Sequence, residues 1–142
     1  MKVFKHASAI WNGTVPAGTG SMKLGRAGEV LPFSLKSRVE DVPMTNPEEL
    51  IGAAHAGCFS MALSSLIEEE GKVPGTVETS AKVTLEQRDD GFWISEINLI
   101  TRGSNQAMTN DEFVALAEKA KTTCPVSKLY SSATITLDAA LA

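Results

Sequence analysis

Asn46-Pro47-Glu48-Glu49-Leu50-Ile51-Gly52-Ala53-Ala54-His55-Ala56-Gly57-Cys58-Phe59-Ser60-Met61-Ala62-Leu63-Ser64-Ser65-Leu66-Ile67-Glu68-Glu69-Glu70-Gly71 reads as one long helix with a cysteine at its middle. Asn46 suits the N-cap, where its side-chain oxygen accepts an otherwise unpaired backbone N–H. Pro47 suits the first helical position, because its missing N–H costs nothing there. Glu49 stands three residues after the cap, as in a capping box. Glu48 and Glu49 also lie at the positive end of the helix dipole. At the far end Glu68, Glu69 and Glu70 reach solvent, and Gly71 is placed for a left-handed cap.

Between those acidic ends the helix carries no charged side chain. Leu50, Ile51, Ala53, Ala54, Ala56, Phe59, Met61, Ala62, Leu63, Leu66 and Ile67 cover almost its whole circumference, and a helix apolar all round is a buried one. The run is too short, and too broken by His55, Ser60 and Ser64, to cross a bilayer. A sheet on one side and a second copy of the chain on the other would cover it. Cys58 is then expected in the middle of the molecule, near a subunit interface.

Working outward, the chain has 142 residues, enough for one domain, 1–142, with its own core. The net charge of −4 argues against nucleic acid, whose phosphates need a basic surface. No basic amphipathic helix points to a membrane surface. The start, Met1-Lys2-Val3-Phe4-Lys5-His6, has no apolar signal-peptide region, so a cytoplasmic location is expected. Thiols stay reduced there, and the two cysteines are read as catalytic, redox-active or inert rather than as a structural staple.

Residues 2–11 alternate loosely and predict a strand. Asn12-Gly13 is a hairpin turn signal. A second strand is expected over Gly20–Leu24, a turn over Gly25–Gly28, and a third extended segment over Val30–Val39. After the helix, Val77–Gln87 alternates as a strand, Asp89-Asp90-Gly91 turns the chain, and Phe92–Thr101 returns. Gly103–Thr109 reads as a loop. Asn110 is placed to cap a helix over Asp111–Thr123, which Cys124-Pro125 ends, since the residue before proline avoids helical geometry. A last strand is expected over Ala133–Leu137. Hairpins at both ends predict an antiparallel α+β domain. No glycine-rich phosphate loop opens a helix after a strand.

The cysteines lie 66 positions apart (124 − 58). One reading makes them small buried hydrophobes. Context favours chemistry. Cys58 sits among Ala54, Ala56 and Gly57, which leave room around the sulfur. Cys124 stands on a Cys-Pro turn, where it is free to move. A fixed thiol and a movable one suit attack followed by resolution. The attacking form is the thiolate, from a group of ordinary pKa about 8.5, and burial alone raises that value. Mid-helix, Cys58 therefore needs a cation, and arginine keeps its charge when buried. The arginines are Arg26, Arg38, Arg88 and Arg102. Arg38 lies in the strand that feeds the helix, nearest its start. An ordinary surface role is the alternative for each. His55, three residues before Cys58, is either a hydrogen-bonded packing residue or the base of a Cys–His acyl-transfer pair. No Cys-x-x-Cys or His-x-x-x-His spacing supports a metal.

The block from Asn46 to Ser64 closely resembles the signature of the OsmC/Ohr family of thiol-dependent peroxidases for organic hydroperoxides. Thr123-Cys124-Pro125-Val126-Ser127 resembles the family's second-cysteine motif, and Ile135-Thr136-Leu137-Asp138 extends the likeness towards the C-terminus. Gly52-Ala53-Ala54-His55 and the position of Arg38 in the third strand are closer to the OsmC branch than to Ohr. The resemblance implies a peroxidatic Cys58, a resolving Cys124, an activating Arg38 and a Glu48 that holds it. It also implies an intertwined homodimer, with sheets around long central helices. Within one regular helix, however, ten residues separate Glu48 from Cys58, about 15 Å along the axis. Closing that gap takes the reach of the arginine, a kink at Gly52 or Gly57, or residues supplied by the partner chain.

The expected activity is reduction of hydroperoxides, organic ones and hydrogen peroxide, in oxidative or osmotic stress defence. Cys58 is oxidised to a sulfenic acid, Cys124 condenses with it to a disulfide, and an external thiol or dithiol restores both. No bound cofactor or metal is expected, and the partners are a second copy, a small hydroperoxide and the thiol reductant. The rival from another class is a dimeric redox-sensing or binding module without turnover.

Overall fold

The computed structural model describes residues 1–25, 28–104 and 107–142. Arg26, the middle of the expected turn at 25–28 and part of the expected loop at 103–109 lie outside the described residues. The contacts group the chain into two compact units, Met1–Leu50 and Ile51–Ala142.

The first unit holds a sheet in which β1 (Ala7–Asn12), β2 (Thr19–Leu24) and β3 (Val30–Phe33) follow one another antiparallel. The pairing starts at Ala7 opposite Leu24 and runs to Asn12 opposite Thr19. Residues 2–6, expected in the strand, lie outside it: the ladder starts at Ala7 opposite Leu24, and the Gly25 N–H donates once more to His6 O (2.9 Å). Trp11 and Phe33 meet with ring centroids 5.4 Å apart.

The extended segment expected over 30–39 stops at Phe33. Ser34 then opens a short helix, α1 (Leu35–Val39). Its hydroxyl accepts from the Ser37 N–H (3.3 Å), and the Ser37 hydroxyl accepts from the Ser34 N–H (3.0 Å). Two serines three apart thus make a reciprocal cap, and the cap moves Arg38 from a strand onto a helix.

Helix α2 (Pro47–Glu69) starts at the expected cap: the Glu49 N–H donates to Asn46 Oδ1 at 2.8 Å. The Glu49 carboxylate takes the Thr45 hydroxyl (2.9 Å). At the other end Gly71 is left-handed, with φ 72. Its N–H reaches Glu68 O (2.9 Å) and the Lys72 N–H reaches Ile67 O (3.2 Å), the two bonds of a Schellman ending. Contrary to the sequence expectation, α2 is long and apolar enough by composition to cross a membrane, with 23 residues and a hydropathy of 1.6. From Ile51 on it serves as the core helix of the second unit. His55, Phe59, Leu63, Leu66 and Ile67 are buried, whereas Ala53, Ala54, Gly57 and Met61 are exposed. Within one chain the apolar circumference is therefore covered on one side only.

That buried side packs on a second sheet, of order β4-β5-β6. β4 (Thr76–Arg88) and β5 (Gly91–Ser104) form a long hairpin turning at Asp89-Asp90. Ile97 and Leu99 from β5 join Phe59, Leu63 and Ile67, and α3 (Asn110–Thr123) adds Phe113, Ala117 and Ala120. Gly52 lets α2 come close to β4, since a Cβ there would lie 3.3 Å from Val83 Cγ2. A hydroxyl chain also ties helix to sheet. Ser60 donates to Thr79 (2.8 Å), Thr79 meets the buried Thr101 (2.9 Å), and Thr101 donates to Glu78 O (3.2 Å).

Three local features depart from the expectation. The cap of α3 is Thr109, which forms a capping box with Glu112, and Asn110 instead accepts from the Leu141 N–H at 2.8 Å. A further short helix, α4 (Pro125–Leu129), follows Cys124 at once, with Pro125 at its first position. The last strand, β6 (Thr134–Leu141), is longer than expected and pairs parallel with β5, Glu96 to Thr134 through Gly103 to Leu141. The α+β class stands, with one antiparallel and one mixed sheet.

Candidate active site

Arg38 and Glu48 meet in the first unit. Arg38 stands in the last turn of α1 and Glu48 in the first turn of α2. The Asn46 amide donates to Ser37 O at 2.8 Å, so the residue that caps α2 also holds α1. Arg38 Nη2 donates to Glu48 Oε1 at 2.5 Å, and Nε lies 3.2 and 3.3 Å from the two carboxylate oxygens. Glu48 is buried at 7% exposure, while the Arg38 side chain keeps 37%. A fixed carboxylate thus aims a guanidinium that still has an open side. A planar fork held in this way suits an anion or a developing negative charge. Arg38 also lines a cleft of about 270 Å³ with Trp11, Val15, Phe33, Ser34 and Leu35. The charge therefore sits beside mainly apolar walls.

The second unit brings the two cysteines together. Cys58 is half-buried and Cys124 fully buried, and both are free thiols. Burial pushes the Cys58 thiol up from its ordinary pKa, the Val126 N–H hydrogen bond pulls it down, and the hydrogen-bonded Cys124 thiol raises it again. Burial dominates, so this surrounding by itself favours the neutral thiol.

Cys124 stands at the non-helical junction between α3 and α4. Its N–H donates to Ala120 O (2.9 Å) and its carbonyl accepts from the Lys128 N–H (3.1 Å), so α3 and α4 hold it from both sides. In the sequence, proline marks the end of α3 and a loose helix exit; in the structure the same proline also begins α4, so the backbone of Cys124 is bonded on both sides.

His55 is fully buried, and its Nε2 lies 2.7 Å from the Ser127 hydroxyl. Tyr130 packs edge-on to the imidazole, with centroids 5.5 Å apart. Burial lowers the His55 pKa and keeps the ring neutral. The ring is thus engaged by a serine. Ser127 and the Val126 N–H are the site groups that sequence reasoning overlooked. The only signal was Cys-Pro-Val-Ser itself, in which a proline at N1 foretells a new helix. Among the described residues no group of three or more His, Cys, Asp or Glu side chains is placed to hold a metal ion. Chemically, the thiol pair can pass from two thiols to a disulfide.

The OsmC-like protein family model matches residues 40–138. Peroxiredoxin OsmC of Escherichia coli (strain K12) is 40% identical over 140 residues, covering 97% of this chain and 96% of the relative. The organic hydroperoxide resistance protein OhrA of Bacillus subtilis (strain 168) is 35% identical over 89 residues, 61% of this chain and 60% of the relative. A solved organic hydroperoxide resistance protein from Elizabethkingia anophelis has the same fold, with a TM-score of 0.77 at 24% identity, both chains covered completely. A solved OsmC protein from Legionella pneumophila gives 0.76 at 22% identity, over 98% of this chain and 99% of that one.

Proposed function

Given that the chain belongs to the OsmC-like protein family, we propose that it is a thiol-dependent peroxidase that reduces organic hydroperoxides, and hydrogen peroxide, in oxidative or osmotic stress defence. The observation that carries this reading is the pair of neighbouring free thiols, one half-buried and one enclosed. A peroxide reaches the accessible sulfur first. The Cys58 thiolate attacks the nearer peroxide oxygen, the O–O bond breaks, and an alcohol or water leaves. The Cys58 sulfenic acid then meets Cys124, already adjacent, to give the Cys58–Cys124 disulfide and water. Two thiols of an external thiol or dithiol restore both cysteines by exchange. No prosthetic group is needed, because the thiols carry both electrons.

Arg38 is the activating cation in this reading, and Glu48 fixes it. Burial raises the Cys58 pKa, so the thiolate needs an opposite charge brought to it. Glu48 lies ten residues from Cys58 on one helix, about 15 Å along its axis. We therefore assign the Arg38–Glu48 pair acting on each Cys58 to the partner chain of a homodimer. The exposed face of α2 supports the dimer. Ala53, Ala54 and Gly57 form a flat apolar strip there, and Met61 is 74% exposed. A second copy would cover an area that water otherwise meets at a cost. The apolar cleft beside Arg38 suits the organic group of an alkyl hydroperoxide. Residues 1–142 form one domain in this view, located in the cytoplasm, where thiol reductants recharge the site.

Steady-state turnover of cumene hydroperoxide and hydrogen peroxide, with lipoyl and glutathione reductants, tests the proposal. Many turnovers per site with the organic peroxide are expected. Consumption of one peroxide per site followed by arrest would identify a sensor instead.

A further inference from the structure

His55 and Ser127 have no part in the thiol chemistry described above, yet both are buried and bonded to each other. His55 lies one helical turn before Cys58 on α2, and Ser127 lies three residues after Cys124 on α4. Between them, the Val126 backbone and the Cys124 thiol both act on the Cys58 sulfur, the first lowering and the second raising its pKa. The α3–α4 junction is thus fastened to α2 at two points one turn apart, the sulfur cluster and the His55 Nε2···Ser127 Oγ bond of 2.7 Å.

The two points differ in what catalysis does to them. Oxidation adds an oxygen to Cys58 and disturbs every contact of its sulfur. The His55–Ser127 bond is untouched by that change. It is also well protected, with His55 at 0% exposure and Ser127 at 4%. The buried Nδ1 of His55 has no hydrogen-bond partner among the described residues. A donor N–H left bare is costlier than a bare lone pair. The favoured tautomer therefore carries its proton on Nε2 and donates it to Ser127, which fixes the polarity of the bond.

We propose that His55 and Ser127 are positioning residues for resolution: their bond holds the junction in register on α2 while Cys58 is a sulfenic acid, so that Cys124 attacks before a second peroxide does. This deepens the peroxidase reading above and rests on it. In the step concerned, Cys124 sulfur bonds to Cys58 sulfur, the S–OH bond breaks, and the leaving hydroxide takes up the Cys124 proton as water. In the competing step, a second hydroperoxide transfers an oxygen to the sulfenic acid, giving a sulfinic acid and an alcohol.

The test follows both products by intact mass spectrometry after stoichiometric and excess cumene hydroperoxide, with thermal melts as a control on folding. Ser127→Ala removes only the hydroxyl. It is expected to slow disulfide formation about tenfold, as the loss of one buried hydrogen bond implies, and to lower by a similar factor the peroxide concentration that half-converts Cys58 to sulfinic acid. Sulfenate formation, measured with Cys124→Ser in both backgrounds, should change far less. Ser127→Thr, which restores a hydroxyl, should bring the partition back towards the parent protein. His55→Gln, whose amide can still bond Ser127, should fall between the parent and Ser127→Ala. The proposal is overturned if folded Ser127→Ala forms the disulfide at the parent rate, if both steps slow equally, or if Ser127→Thr partitions like Ser127→Ala. Failure of the parent protein to form any Cys58–Cys124 disulfide would instead overturn the peroxidase reading, and the positioning role with it.

Discussion

At the scale of single residues, the two cysteines differ in exposure. Cys58 is half-buried and Cys124 is fully enclosed. Cys58→Ser should abolish peroxide consumption, because an alcohol of very high pKa cannot replace a thiolate. Cys124→Ser should react once and leave a trappable sulfenic acid on Cys58. Sulfenate trapping with mass spectrometry checks both, and sulfenate on Cys124 in Cys58→Ser would reverse the roles. Arg38→Met should slow the first step about a hundredfold or more, since one close charge interaction is worth a few kcal/mol. It should also move the pH profile of that step upward, because burial is then left to raise the Cys58 thiol. A stopped-flow pH series reads both effects. His55 gives a pH effect of a different kind. Its pKa is lowered in the folded chain, so below the ordinary value of 6.5 the unfolded chain binds a proton that the folded chain refuses. Stability should therefore be full above that value and fall as the pH drops below it. Melting temperatures from pH 8 to 5 check this, and His55→Gln should flatten the slope.

At the scale of elements, the start of α2 carries more than a cap. Asn46 accepts from the Glu49 N–H and donates to Ser37 O, binding α1 to the first turn of α2. Asn46→Ala should cost about 1 kcal/mol of stability from the lost cap, and should also loosen the presentation of Arg38. A melt only a few degrees lower, combined with a disproportionate drop in the rate of sulfenate formation, is the expected pattern. An equal loss in both would reduce Asn46 to a cap alone. The capping residues of α2 were legible in the sequence because caps are local. The helix character of residues 35–39 was missed, since a Ser34/Ser37 cap is a weak signal beside the β-branched and aromatic residues that precede it. The second helix after Cys124 was missed for a similar reason. A proline was read as a stop, and it was also a start.

At the scale of the whole molecule, the proposed sharing of sites between subunits makes a prediction that no single variant can imitate. Cys58→Ser and Arg38→Met chains should each be nearly inactive. If Arg38 serves the partner's Cys58, mixed dimers contain one intact site. Random reassociation then restores about a quarter of parental activity, from half the dimers with one site of two each. Activity that stays at the level of the separate variants would place the pair and the thiol in the same chain. Co-expression with two affinity tags isolates the mixed species directly.

The long helix, its caps, the β4–β5 hairpin, the α+β class and the two cysteines as the centre of interest are all legible in the sequence. Each rests on local periodicity, on a capping preference or on a dense motif, and such signals lie within a few residues of one another. Tertiary structure decided the rest. The pairing of β6 with β5 depends on which strand edge is free, and nothing in residues 134–141 records its direction. The enclosure of Cys124 accompanies the start of α4 directly after α3, with both helices bonded to its backbone. The His55–Ser127 bond joins residues 72 positions apart, so neither residue alone announced it. A buried imidazole finds its partner only when the core closes around it.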